Sequence, residues 1–282
     1  ISGMCMYYFW HTLTTGFQHS ALPPTQVWDN LLNSPWKLTL WHSVFMALTI
    51  GVILLGVQKG LERATKWMMP ALYIVLIALV IYAIHYGDLH RTLQFLFDFN
   101  IDKITIHSVT MALGQAFFSL ALGAGAMVAY GAYAPQNTSI PFAVTVVTVL
   151  ELLVALLAGL AIYPLMYAYN IPVDTAGYGL MFTALPHAFA VIPAGNLVGA
   201  TFFLTLIFAA WTSSINLCEP LVLLLIQKWQ WSRKTATVLI GCVAWSIGLL
   251  SLLSFNVLSH VTLANQNILY WNINIPTNIL LP

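Results

Sequence analysis

Charged residues are sparse along this chain and fall in clusters, with long apolar stretches between them. A helix needs about 20 mostly apolar residues to traverse the hydrocarbon core of a bilayer. That requirement predicts six complete spans, at approximately 39–57, 68–86, 107–131, 142–168, 198–227 and 235–254. A partial span precedes them at 1–17, and another apolar run begins at 277. The expected fold class is an all-α polytopic membrane protein, with residues 1–282 forming a single transmembrane domain. The chain opens inside the run Ser-Gly-Met-Cys-Met-Tyr-Tyr-Phe-Trp and closes on TNILLP, so both ends read as truncations through helices.

Basic residues near span ends favour the cytoplasm. Lys59, Arg63 and Lys66 form one cluster, and Lys228, Arg233 and Lys234 form another, four crossings later. An even number of crossings puts both on one face, taken as cytoplasmic. The segment holding Asp88, Arg91, Asp98, Asp102 and Lys103 then lies outside. So does the segment 169–197, which carries GLMFTALPHAFAVIPAG, broken by Pro186 and Pro193 and too short to span. It reads as a lid or plug of short helices, the alternative being a plain surface loop with incidental apolar residues. Residues 255–276 are polar and rich in Asn, as suits an exposed connection.

Composition narrows the function classes. Hydrophobic residues make up 60% of the chain and charged ones 6%, at a mean hydropathy of +0.85, which is far from a water-soluble domain. A formal charge of +1 leaves no basic surface to hold a nucleic acid. Cys5, Cys218 and Cys242 show no CxxC spacing, and the histidines show no i, i+4 pair and no HExxH. With no GxSxG elbow either, the sequence offers no catalytic residue, and neither an enzyme nor an organic cofactor is expected.

Function in a membrane protein is sought where the sequence breaks the rules that lipid imposes. In GQAFFSLALGAGAMVAYGAY, residues 114–133, Ser119, Gly123 and Gly125 fall at mid-membrane. Such glycines permit two half-helices joined by extended backbone, or alternatively the close approach of another helix. In FAAWTSSINLCEP, residues 208–220, Ala209, Thr212 and Ser213 stand at i, i+3 and i+4 on one helical face. A carbonyl and two hydroxyls there suit a hard cation such as sodium; alternatively the hydroxyls bond back to the preceding turn. Asn216 and Glu219 continue the polar character, Glu219 as a gate or structural partner. Glu151 stands alone in an apolar span, where a carboxylate costs about 2.5 to 3.5 kcal/mol on insertion scales. It is expected to face the protein interior and meet a cation, a proton or a donor, the alternative being a protonated or hydrogen-bonded structural acid.

These residues resemble the neurotransmitter:sodium symporter family, in its bacterial amino-acid transporter branch. The similarity rests on GQAFFSLALGAGAM (114–127) for the family's broken sixth helix and FAAWTSSINLCEP (208–220) for its eighth. GVQKGLERATKWMMP (56–70), leading into the fifth, and LVALLAGLAIYP (153–164), for the seventh, add to it. The resemblance implies the inverted-repeat symporter fold, running from the end of the third helix to the start of the tenth. Helices 1–2 and 10–12 of the family would be needed to complete the sites.

Carried over residue by residue, Ala209, Thr212 and Ser213 resemble the eighth-helix half of the second sodium site. Ser119 matches a hydroxyl of the first sodium site, and Phe118, Ala121, Ala124, Asn216 and Leu217 match substrate-pocket positions. Gln115 and Ser119 match the chloride site of chloride-dependent members, but Ala155 replaces the serine expected there, which argues against chloride. Glu151 stands where many relatives carry Asn, so its carboxylate would serve sodium site 1 or compensate the missing anion.

The implied function is sodium-coupled symport of an amino acid by alternating access in the bacterial cytoplasmic membrane, with sodium the only metal. The small Ala121 and Ala124 point to a large apolar or aromatic substrate. The chain by itself is expected to be inactive. The rival readings are a non-transporting remnant of an interrupted gene and a membrane scaffold or regulatory protein that keeps the fold.

Overall fold

The computed structural model describes residues 1–18, 22–56, 62–98, 104–121, 127, 131, 139–171, 177–263 and 266–275. The helices run α1 (Ser2–Thr14), α2 (Pro24–Leu32), α3 (Pro35–Leu54), α4 (Arg63–Tyr86), α5 (Leu89–Phe97), α6 (Ile106–Ser119) and α7 (Ile140–Ala168). After a helical turn at Gly177–Gly179 and a π-helical turn at Leu180–Ala184 come α8 (Leu185–Val191), α9 (Gly195–Trp229) and α10 (Arg233–Leu253). A two-residue antiparallel pairing of β1 (Thr262–Leu263) with β2 (Gln266–Asn267) precedes α11 (Ile268–Ile275).

Among the described residues, five helices are long and apolar enough to cross a membrane: Pro35–Leu54, Thr65–Tyr86, Ile140–Ala168, Gly195–Trp229 and Arg233–Leu253. The remaining predicted span, 107–131, includes residues outside the described ones; its first part is α6, which stops at Ser119. Ala121 then adopts φ +51°, a left-handed conformation that ends regular helix in a non-glycine residue.

Polar residues mark the helix ends. Asp88 accepts a hydrogen bond from the Arg91 amide at 3.0 Å and caps α5. Ser232 accepts one from the Thr235 amide at 3.2 Å and caps α10. Each cap occupies one of the amide groups that the first turn of a helix leaves without a partner.

The chain divides into two units. The first comprises Ile1–Phe45, Thr65–Asp98 and Val154–Trp211. Its core is aromatic: the fully buried Tyr8, Phe182, Phe189 and Phe203 pack together, and Trp28 stacks on Phe182 with centroids 5.0 Å apart and rings 4° from parallel. The Tyr8 hydroxyl donates to the Phe182 carbonyl at 2.9 Å, which satisfies the polar end of a buried phenol. Beyond α1, Gly16 (φ +68°) turns the chain so that the Phe17 amide donates to Asn196 Oδ1 at 2.8 Å. A Cβ on Gly16 would lie 2.2 Å from Asn196 Nδ2, so only glycine fits there without a shift.

The second unit comprises Met46–Ala64, Phe99–Leu153 and Thr212–Pro282. Ile53, Ile215, Val222, Ala236 and Leu252 are buried in it. Gly241 of α10 abuts Ile50 of α3 so closely that a Cβ would come within 2.4 Å of Ile50 Cδ1. This is the close helix approach that small residues allow in membrane bundles.

Candidate functional site

Among the residues singled out from the sequence, two distant ones are brought into contact. Ser119, the last residue of α6, directs its hydroxyl onto the Glu151 carboxylate of α7. The pair belongs to the second unit and joins residues 32 positions apart. Helix α6 ends at Ser119, so this side chain stands where the last carbonyls of a helix lack intrahelical donors. A hydroxyl and a carboxylate at such a point form an all-oxygen cluster, the donor set preferred by hard cations.

Glu151 differs in one respect from the expectation that it faces the interior. It is exposed, as are Leu150, Leu152 and Leu153 beside it. The first half of α7 is apolar apart from Thr145, Thr148 and Glu151, and none of its most apolar stretch is buried by this chain. The two hydroxyls bond back to their own helix, so they mark a polar face too weakly for sequence alone to orient it.

Helix α9 carries the second group. Its apolar sequence runs unbroken through Ala209, Thr212, Ser213, Asn216 and Leu217, with Pro220 inside the helix. Pro220 has no amide hydrogen to give to the carbonyl of Asn216, one turn earlier. The predicted hydroxyls separate in burial: Thr212 is 2% exposed, whereas Ser213 lies on the exposed side with Leu217. Thr212, Ile215, Glu219 and Val222 make up the buried face, at helical spacings of three, four and three. Asn216, between the two faces, has a buried Oδ1 with no hydrogen-bond partner. An unsatisfied buried amide oxygen costs about 1 to 3 kcal/mol, so it is a strong acceptor for any donor that reaches it.

Of the other predicted positions, Gln115 and Ala155 are exposed and Ala121 is half-buried. The Phe118 side chain and the whole of Ala124 lie outside the described residues. No group of three His, Cys, Asp or Glu side chains that could hold a metal occurs among the described residues.

Sequence reasoning missed the partner of Glu219. This carboxylate, 4% exposed, meets Arg233 of α10 in a two-pronged ion pair, Nη1 to Oε1 at 3.0 Å and Nη2 to Oε2 at 2.7 Å. The Arg233 Nε also donates to the carbonyl of Ile53 at 3.1 Å, one of the last carbonyls of α3. One guanidinium thus fastens three helices. The signal was present in the sequence: Glu219 is an acid within an apolar helix, and the next helix starts with an arginine.

Comparison with known proteins adds to this geometry. Residues 8–266 match the family described as the Sodium:neurotransmitter symporter family. The sodium-dependent transporter YhdH of Bacillus subtilis is 33% identical over 253 residues, covering 90% of this chain and 56% of that protein. A sodium-dependent transporter of Haemophilus influenzae is 29% identical over 237 residues, covering 84% and 52%. The crystal structure of MhsT in complex with L-phenylalanine superposes with a TM-score of 0.89 at 33% identity, over 100% of this chain and 64% of that one. The chain spans about half the length of the curated relatives it matches.

Proposed function

The chain belongs to the sodium:neurotransmitter symporter family, and on that premise we propose that the protein carries an amino acid across the membrane together with sodium. The observation that carries this reading is the contact between Ser119 and Glu151. Their oxygens offer a partly formed shell for an alkali ion, and the carboxylate supplies the charge that sodium needs. Ala209, Thr212 and Ser213 on α9 would contribute to a second sodium site, and Ala121, Asn216 and Leu217 to the substrate pocket, with Phe118 and Ala124. Gln115 and Ser119 stand at chloride-site-like positions, but Ala155 replaces the serine expected with them, so Glu151 takes over the role of a bound anion.

The substrate proposed is an amino acid with a large apolar or aromatic side chain. Small alanines in the pocket support it, and MhsT, at 33% identity, binds L-phenylalanine. Transport would follow alternating access: sodium and substrate bind one conformation more tightly than the other, and that difference in binding energy drives the exchange. No covalent step is involved. The setting proposed is the bacterial cytoplasmic membrane.

The test is uptake of labelled phenylalanine, leucine and glycine by the full-length protein in proteoliposomes, with and without a sodium gradient and with chloride replaced by gluconate. The expected result is sodium-driven uptake of phenylalanine and leucine over glycine, unaffected by gluconate. Glu151→Gln should make that uptake chloride-dependent or abolish it. Absence of sodium-driven uptake of any amino acid would overturn the transport reading, and an unchanged Glu151→Gln variant would remove Glu151 from it.

A further inference from the structure

The turn between α9 and α10 presents a feature that sodium and substrate binding do not use. The apolar sequence of α9 ends at Ile226 and resumes in α10 at Ala236, so residues 227–234 mark a boundary between hydrocarbon and water. Gln230, at φ +56°, reverses the chain, and its Nε2 donates to the carbonyl of Gln227 at 3.2 Å. On this turn two indoles are exposed, Trp229 by 53% and Trp231 by 39%, with ring centroids 6.3 Å apart. Lys228 holds its ammonium 5.5 Å from the centre of the Trp229 ring. Lys234 is exposed as well.

Charge decides what can cover this surface. The segment 227–234 contains Lys228, Arg233 and Lys234 and no acidic residue. Arg233 is neutralised by Glu219, at 2.7 Å, which leaves two exposed lysines to set the local charge. Exposed indoles beside lysines that have no ion-pair partner among the described residues are poorly suited to water. They are well suited to the headgroup layer, where indole rings settle between tail and water and ammonium groups meet phosphate. The turn is also held in place, because Arg233 is bonded to both Glu219 and the Ile53 carbonyl.

We propose that the Lys228–Lys234 turn is a docking site for an anionic phospholipid headgroup, with Lys228 and Lys234 contacting its phosphodiester and Trp229 and Trp231 packing on its glycerol and upper tail. The site is independent of the transport reading, since none of its residues belongs to the sodium or substrate positions. Each lysine should raise affinity for an anionic over a zwitterionic lipid by about fivefold.

The test is native mass spectrometry of the purified full-length protein equilibrated with equal amounts of phosphatidylglycerol and phosphatidylcholine. The expected result is preferential retention of phosphatidylglycerol, falling about 25-fold in Lys228→Gln/Lys234→Gln and kept in Lys228→Arg/Lys234→Arg. Trp229→Leu/Trp231→Leu should weaken retention of both lipids, and Lys37→Gln, at the start of α3, should change nothing. Equal retention of both lipids by the unmodified protein would overturn the proposal. So would unchanged preference in the double glutamine variant, or unchanged retention of both lipids in the Trp variant.

Discussion

Two carboxylates lie within apolar helices of the same unit, and they have been settled in opposite ways. Glu219 is buried and bound by both prongs of Arg233, so its charge is cancelled by a fixed cation of the protein. Glu151 is exposed on α7 and meets the hydroxyl of Ser119; among the described residues the ion pairs join Arg91 to Asp88 and Arg233 to Glu219, and neither includes it. A hydroxyl can donate one hydrogen bond but cannot neutralise a charge. The difference is one of partners: Glu219 fastens three helices through Arg233, whereas Glu151 meets only a hydroxyl in that contact and is, on the proposed reading, where sodium would bind.

The strongest way to break this comparison is to remove one partner of the buried pair. Arg233→Ala should destabilise the protein by about 3 to 5 kcal/mol, because the Glu219 charge is stranded in a buried setting, and Glu219→Ala should cost less, because Arg233 is partly exposed. Thermal unfolding in detergent would measure it, and Glu219→Met/Arg233→Met should recover much of the loss. A small effect of the single changes would mean that water already reaches the pair.

Glu151→Gln should behave the other way round. Its stability is expected to hold or rise, because a neutral amide removes the cost of a carboxylate within an apolar span. Sodium binding, read by isothermal titration, should weaken tenfold or more, the usual scale for losing a hydrogen-bonded charge. If stability falls as far as it does for Glu219, the two carboxylates are both structural and the distinction fails.

The smallest expected effect sharpens the contrast on α9 itself. Thr212→Val and Ser213→Ala each remove one hydroxyl oxygen, and each should weaken sodium binding about fivefold, close to 1 kcal/mol. Only the buried Thr212 should also change stability on replacement, seen as a shift of the unfolding midpoint. Equal stability effects would show that Ser213 is covered in the working protein.

The all-α, membrane-crossing architecture was legible because lipid punishes every exception: a spanning helix must be long and apolar, so its pattern is local and repeated. Four stretches in one order then pointed to a single family, and residues 8–266 do match it. Contacts across the chain were far less legible. The Tyr8 hydroxyl and the Phe182 carbonyl are 174 positions apart, and a Tyr in an apolar run reads equally well as a member of an interfacial belt. The aromatic core of the first unit has no local signature for that reason. Glu151 could be recognised as anomalous from its surroundings, but its meeting with Ser119 depends on where α6 stops, which composition does not fix. Thr212 and Ser213 each lie about one turn from Ala209, yet as neighbours they point about 100° apart around the helix, and the boundary between covered and exposed surface runs between them.

The junction of Gly16 with Asn196 carries a consequence for how this sequence can drift. Position 196 must supply an amide oxygen to the Phe17 backbone while leaving no room for even a methyl group at position 16. Glycine has nothing to give up, and its left-handed backbone would strain any side chain even beside a shortened residue 196. Position 16 should therefore stay glycine as the sequence drifts, and position 196 should admit only a short side chain that still offers an oxygen to the Phe17 amide.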